Sequence, residues 1–250
     1  MSRGRFTPRL RMFAGPNGSG KSTIQLDLAR RFSSRFLGVV VNPDDLQAEI
    51  ARNGKLPLEP FGVNADESEV RQAFTTSAFL KQHNLADAAA VLKCDGHAID
   101  FAGLAMNAYY ASVLSDFLRR KLLASRVPFS FETVMSDPGK VAFLKEAQSR
   151  GFRTYLYFIA TEDPEINISR VSIRVAQGGH DVPKDKIVSR YLRSLELVRN
   201  AIRYADRAYF WDTSESESRF VAECAAGERP EMYGDHMPNW FKNYVWDRFP

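Results

Sequence analysis

The segment Gly15-Pro16-Asn17-Gly18-Ser19-Gly20-Lys21-Ser22 constrains this chain more than any other. A short apolar run, Leu10 to Ala14, precedes it and an amphipathic stretch from about Lys21 to Phe32 follows. The order predicted is strand, glycine-rich loop, helix. Glycines let the backbone N–H groups of such a loop converge at the open end of the helix, where the helix dipole favours an anion. Gly15, Pro16, Asn17, Gly18, Ser19, Gly20, Lys21, Ser22 and Thr23 are therefore the candidate set for nucleotide phosphates, those of ATP or GTP. Lys21 is expected to bridge the terminal phosphates. Ser22 is expected to offer its hydroxyl to Mg²⁺, a hard ion that takes oxygen ligands and keeps several waters. A chance glycine-rich turn is the alternative, and the apolar strand before it and the helix after it argue against that.

Beyond the loop, apolar runs alternate with helical stretches. Val39 to Val41 ends at Asn42-Pro43-Asp44-Asp45, where Pro43 stops strand pairing. Val127 to Val134 and Arg153 to Ala160 read as further strands, with a helix over Asp137 to Arg150 between them. A helix to about Gln177, one from Pro183 to near Tyr204, and a strand Arg207 to Trp211 complete the alternation, and Phe220 to Ala226 is a candidate final strand. Strands alternating with helices predict an α/β protein of the P-loop NTPase type, a three-layer sandwich with a mostly parallel sheet. About residues 52 to 107 lack β-branched strand runs and turn Ala-rich, so a mostly helical insertion is expected there within one domain of 1 to 250. The stretch from about 215 to 250 is a C-terminal extension whose aromatic tail has no clear reading.

Length and charge narrow the classes. At 250 residues the chain can bury a sizeable core. No apolar run approaches the length needed to span a bilayer, so no membrane partner is expected. Met1 to Leu10 carries three arginines with no apolar stretch after them, which argues against a secretory signal and for a cytoplasmic protein. Cys94 and Cys224 stand alone, in neither metal-ligand nor redox spacing. Thirty-four Lys and Arg against 30 Asp and Glu give a net charge of +4. Scattered as they are, the basic residues suit an anionic ligand and are too weak a signal to argue for nucleic acid, which is not an expected partner.

Several residues outside the loop could carry chemistry. Asp44 and Asp45 fall at a strand's C-terminal end, the edge where open α/β sheets place their ligands. Either could be a general base, or both could cap the following helix and meet its dipole. Glu132 ends an apolar strand, so its carboxylate is expected at the same edge, near Mg²⁺ or accepting from substrate hydroxyls. Thr133 and Ser136 extend that polar rim, and a solvated turn is the plain alternative. Arg170 and Arg174 share a helix face. Gly178-Gly179-His180 follows them, either a lid joint or a simple helix stop. An arginine brought by a lid can neutralise charge on a transferring phosphoryl group. Asp212 reads as a turn residue.

Taken together, the stretch Ala14 to Thr23, Asn42-Pro43-Asp44, Phe131-Glu132-Thr133, and Arg174 followed by Gly178-Gly179-His180-Asp181-Val182-Pro183 resemble the zeta toxin family of P-loop kinases. The resemblance covers about residues 9 to 214. The loop is common to many NTPases, while the three later motifs in this order are more specific. The resemblance implies an ATP-dependent kinase that moves the γ-phosphoryl group to a hydroxyl of a small molecule. In the best understood members that is a sugar hydroxyl of UDP-N-acetylglucosamine. It also implies Asp44 as the base, Lys21 on the phosphates, Arg174 on the developing charge, and Glu132 holding the substrate. Thr133 and His180 join the substrate set. An antitoxin protein that blocks the loop near Lys21 is an implied partner. A second lid arginine of the sugar-nucleotide kinases falls at His180 here, and residues 52 to 107 are longer than expected between these motifs.

Two other functions compete with that reading. A nucleotide-dependent ATPase or switch, regulated by a protein bound at the insertion, would need no small-molecule acceptor. A kinase of RNA ends would need a basic groove that the sequence does not locate.

Overall fold

A computed structural model describes residues 7–33, 35–179, 181–225 and 227–249. The chain divides into two compact units, one of residues 1–37 and 130–250, the other of residues 38–129.

The first unit opens with β1 (Arg9–Ala14), whose last five residues are all buried. A continuous apolar run of this kind suits a strand covered on both faces. The phosphate-loop sequence follows, then α1 (Lys21–Phe32). In the second unit, β2 (Val39–Val41) leads into α2 (Pro43–Asn53). Next come β3 (Lys55–Pro57), α3 (Glu67–Thr75), α4 (Ala78–Gln82), β4 (Lys93–Cys94), β5 (Ala98–Asp100) and α5 (Ala108–Ala124).

The chain re-enters the first unit along β6 (Phe129–Thr133). There follow α6 (Pro138–Ser149), β7 (Arg153–Ala160), α7 (Pro164–Ala176), α8 (Lys184–Ile202), β8 (Arg207–Asp212), β9 (Arg219–Ala225), β10 (Glu231–Met232) and α9 (Asn239–Tyr244).

Within the first unit the strands lie in the order β10-β9-β8-β7-β1-β6. β1 and β8 run parallel to β7, whereas β9 and β10 are antiparallel additions. This is the expected mostly parallel sheet with flanking helices. Neighbouring side chains of a strand take opposite faces. On one face Phe13, Tyr157 and Ile159 pack with Ile24 of α1. On the other, Phe158 meets Trp240 and Phe210 meets Phe241, both of α9. The aromatic tail that the sequence left unread is thus a short helix docked on the sheet. Glu162 seats it by accepting from the backbone N–H groups of Asn239 (2.9 Å) and Trp240 (3.2 Å).

Three helices open alike. Asn42, Asp137 and Asp163 each precede a proline at the first helical position, and each side chain accepts from the N–H two residues on. The cap satisfies an orphan donor, and the proline lacks the one that would go unmet. The helix after β2 therefore begins at Pro43 with Asn42 as its cap. Asp44 and Asp45 fall in its first turn, so neither is the cap that the sequence allowed for.

The second unit has its own core, with Phe74 stacked 6.3 Å from Tyr110 and Leu56, Leu58, Val70, Ile99 and Leu114 buried. Its stretch from 52 to 107 is not purely helical: β3, β5 and β4 form a small antiparallel sheet. Strands of two or three residues are too short to show the alternation that reveals a strand. Among the described residues no helix is long and apolar enough to cross a membrane.

Gly15 sits where β1 leaves the sheet, with φ at +142°, and a Cβ placed there would lie 1.9 Å from the carbonyl oxygen of Ile159. Gly54 also has a positive φ, +68°, but a Cβ placed there would meet nothing within 4 Å. Gly15→Ala should therefore cost more than about 2 kcal/mol and Gly54→Ala only about 1 kcal/mol. Calorimetric melting of the two variants checks this, and equal shifts would contradict it.

Candidate functional site

The loop from Gly15 to Gly20 is braced from three sides. The Gly15 N–H donates to the Thr133 carbonyl at the end of β6 (3.3 Å). The Asn167 side-chain amide of α7 donates to the Asn17 carbonyl (2.5 Å), and the Thr213 hydroxyl after β8 donates to the Ser19 carbonyl (2.9 Å). Asn167 is itself held by the hydroxyl of Thr161. These braces hold the loop through the Gly15 N–H and the carbonyls of Asn17 and Ser19. Gly18 and Gly20 adopt positive φ, +73° and +79°. Gly20 is the N-cap of α1 and provides no side-chain cap, so that helix end offers uncapped N–H donors.

Lys21 is half-buried at the base of the loop, where its ammonium donates to the carbonyls of Gly15 (3.0 Å) and Pro16 (2.7 Å). Burial pulls its pKa down from the ordinary lysine value to about 8, and the cation of Arg174 adds to the effect. The carboxylate of Glu132 opposes both. Glu132 also accepts from the Ser22 hydroxyl at 3.0 Å. β6 and α7 thus bring an acid and an arginine, far away in sequence, to the lysine of the loop.

Other predicted residues are placed as follows. The Thr133 hydroxyl accepts from the Met135 N–H (3.1 Å), while its carbonyl holds Gly15. Asp44 is exposed in the second unit, its N–H donating to the Asn42 side chain (2.9 Å). Thr23 and Ser22 are exposed on the first turn of α1. His180 lies outside the described residues. Arg170, considered with Arg174 as a lid arginine, is instead an anchor: it donates to the Thr213 carbonyl (2.6 Å) and to that of Glu215 (3.3 Å). Gly178 and Gly179 close α7, their N–H groups donating to Val175 (2.9 Å) and Arg174 (2.9 Å) in the pattern of a Schellman motif. α7 and α8 share a small core of Ile168, Val171 and Ile187. Asp212 is buried, accepting from the Trp240 indole (2.7 Å) and the Ser214 N–H (2.9 Å).

Asn167, Thr213 and Arg170 are the site residues that the motifs missed as braces. Asn167 follows an Asp-Pro helix start by three residues, and Thr213 follows the end of a strand. Neither position marks itself without the fold that brings it to the loop.

Among the described residues no three His, Cys, Asp or Glu side chains are grouped to hold a metal ion. The pair of oxygens from Ser22 and Glu132 fits Mg²⁺, which is usually held by one or two protein ligands, waters and phosphate oxygens.

Fold and loop together define a protein of the P-loop NTPase type. No protein-family profile matches the chain. A Haemophilus influenzae protein described only as uncharacterized is 24% identical over 181 residues, spanning 72% of this chain and 89% of that one. Among solved structures, a chain of the AvrRxo1-ORF1:-ORF2 complex with ATP aligns at a TM-score of 0.58 and 14% identity, over 98% of this chain and 66% of that one. The native form of the complex gives 0.54 and 14%, over 90% and 61%. A chain from the PezAT toxin–antitoxin system of Streptococcus pneumoniae gives a looser match of 0.49 and 14%, over 90% and 78%. This chain spans 66% or less of the length of the AvrRxo1 chains. In fold it resembles the AvrRxo1 chain of these complexes.

Proposed function

We propose that this protein is an ATP-dependent kinase that transfers the γ-phosphoryl group to a hydroxyl of a small molecule. The observation that carries the reading is the convergence of Glu132 and Arg174 on Lys21 at an uncapped, glycine-built helix end. Such a loop binds polyphosphate, and phosphoryl transfer needs little beyond positioning and neutralised charge. Lys21 would hold the terminal phosphates. Arg174 would meet charge that develops on the moving group. Ser22 and Glu132 would hold Mg²⁺, which when bound supplies charge neutralisation between the phosphates. Asp44, by resemblance, would take the acceptor proton, with Thr133 and His180 in the acceptor set. ATP as the nucleotide is supported by the complex with ATP of the AvrRxo1 protein, whose fold this chain shares. That protein is also found in complex with ORF2, which supports a protein partner for this chain.

The acceptor class is tested by incubating the protein with γ-labelled ATP and a panel of nucleotide sugars, free sugars, nucleosides and dinucleotides. A labelled organic product is expected. Label appearing only as free phosphate, and released faster with a protein partner, would favour a regulated ATPase instead.

The low pKa of Lys21 gives this reading a pH signature. Below about 8 the free protein already carries the ammonium that a triphosphate needs; above it, binding must first take up a proton. ATP affinity should be flat from pH 6.5 to 7.5 and then fall by up to about tenfold per unit above 8. Calorimetric titration across that range checks it. A flat profile to pH 9.5 would contradict the role given to Lys21.

A further inference from the structure

The sheet face that carries Phe13 and Tyr157 is packed by α1 near β1 but opens further out, over β7, β8 and β9, into a groove of about 610 Å³. Arg11, Tyr155, Tyr209, Trp211, Phe220 and Phe36 are among its walls, and no residue from Gly15 to Thr23 lines it. Pockets of a few hundred cubic ångströms, mostly apolar with a few placed polar groups, are the usual form of a small-molecule site.

The charges in the groove do not balance. Asp27 is paired with Arg31 at 2.8 Å and Glu223 with Arg207 at 3.6 Å. Arg11 is 4% exposed, and its Nε has no hydrogen-bond partner. Its guanidinium rests on aromatic rings, 4.2 Å from the centroid of Phe36 and 5.2 Å from that of Tyr155. Ring faces hold a cation less strongly than burial away from water disfavours it. Burial accordingly pulls Arg11 below the ordinary arginine pKa, with Tyr157, which shares a side-chain hydrogen bond with it, opposing. The two carboxylates that line the groove, Asp27 and Glu223, are each engaged with another arginine.

The register of the sheet adds a length. Arg11 pairs with Tyr155, and Trp211 pairs with Ile159, four residues further along β7. At about 3.3 Å per residue the backbone positions of Arg11 and Trp211 stand about 13 Å apart along the strands, with the Tyr157 ring, 5.9 Å from that of Trp211, between them. That is long for a bare aromatic acid and suits a ring joined to its acid through a spacer.

We propose that this groove is a second ligand site, separate from the phosphate loop, for a small anion of the nucleoside monophosphate class. Its phosphate meets Arg11, with Arg9 at the rim, and its base lies against Trp211 and Phe220.

The test is titration of the full chain with AMP, UMP and indole-3-acetate, read by calorimetry, in four proteins: wild type, Lys21→Ala, Arg11→Met and Arg9→Glu. A mononucleotide should bind wild type and Lys21→Ala within about twofold of each other. Affinity should fall at least about tenfold in Arg11→Met, the loss of one charge-assisted contact, and several-fold in Arg9→Glu. Arg9 is exposed, so its variant carries the test if Arg11→Met fails to fold. Binding that disappears in Lys21→Ala belongs to the loop and overturns the proposal. So do equal affinities in wild type and both arginine variants, an absence of saturable mononucleotide binding, or binding of indole-3-acetate alone.

Discussion

Lys21→Ala should lower affinity for ATP by at least about 30-fold and leave the protein folded. The ammonium supplies the one charge at the base of the loop that the backbone N–H groups cannot provide. Truncating one partner of a buried charge contact costs about 2–5 kcal/mol, or some 30- to 4,000-fold in affinity. The substitution also removes the bonds from Nζ to the Gly15 and Pro16 carbonyls. Those carbonyls belong to a loop still held at Thr133, Asn167 and Thr213, so its shape should survive. Calorimetry with ATP and circular dichroism read the two effects separately. Wild-type affinity in Lys21→Ala would mean that the nucleotide is held elsewhere, and a lost fold would mean that the lysine is structural.

Asp44→Asn should do the opposite. Phosphoryl transfer is expected to fall by about 10²–10⁴, the usual contribution of a general base, while ATP affinity stays within about threefold. Asparagine keeps the size and polarity of the side chain in the first turn of α2 but cannot accept a proton. Removing a carboxylate from a helix start costs at most about 1 kcal/mol of stability, so the fold should hold. Single-turnover transfer and ATP titration on the same preparation check the pair of outcomes. An unchanged rate would remove Asp44 from the base position.

What could be read in the sequence and what could not divide along one line. β1, the loop and α1 were legible because strand, glycines and helix follow one another locally, and the Asp-Pro starts of α6 and α7 mark themselves within two residues, whereas the start of α2 reads two residues late because Asp44 and Asp45 compete with Asn42 as caps. The parallel core was legible from alternation. The small sheet of β3, β5 and β4 was hidden because its strands are two or three residues long and β3 meets β5 only across some 40 residues of intervening chain. α9 was hidden because its six residues are held by Glu162 and by rings on β7 and β8, contacts distant in sequence. At the site, Glu132 could be placed at a strand end, but its contact with Ser22 across 110 positions could not. Arg170 and Arg174 looked alike by spacing. Only the fold separates them, tying Arg170 to Thr213 and bringing the charge of Arg174 to bear on Lys21.

The most direct test of the kinase reading is transfer from γ-labelled ATP with Mg²⁺ to the acceptor panel, run beside Asp44→Asn. The account predicts a labelled organic product that wild type forms and the variant does not. Labelled phosphate alone, at equal rates in both proteins, would contradict it.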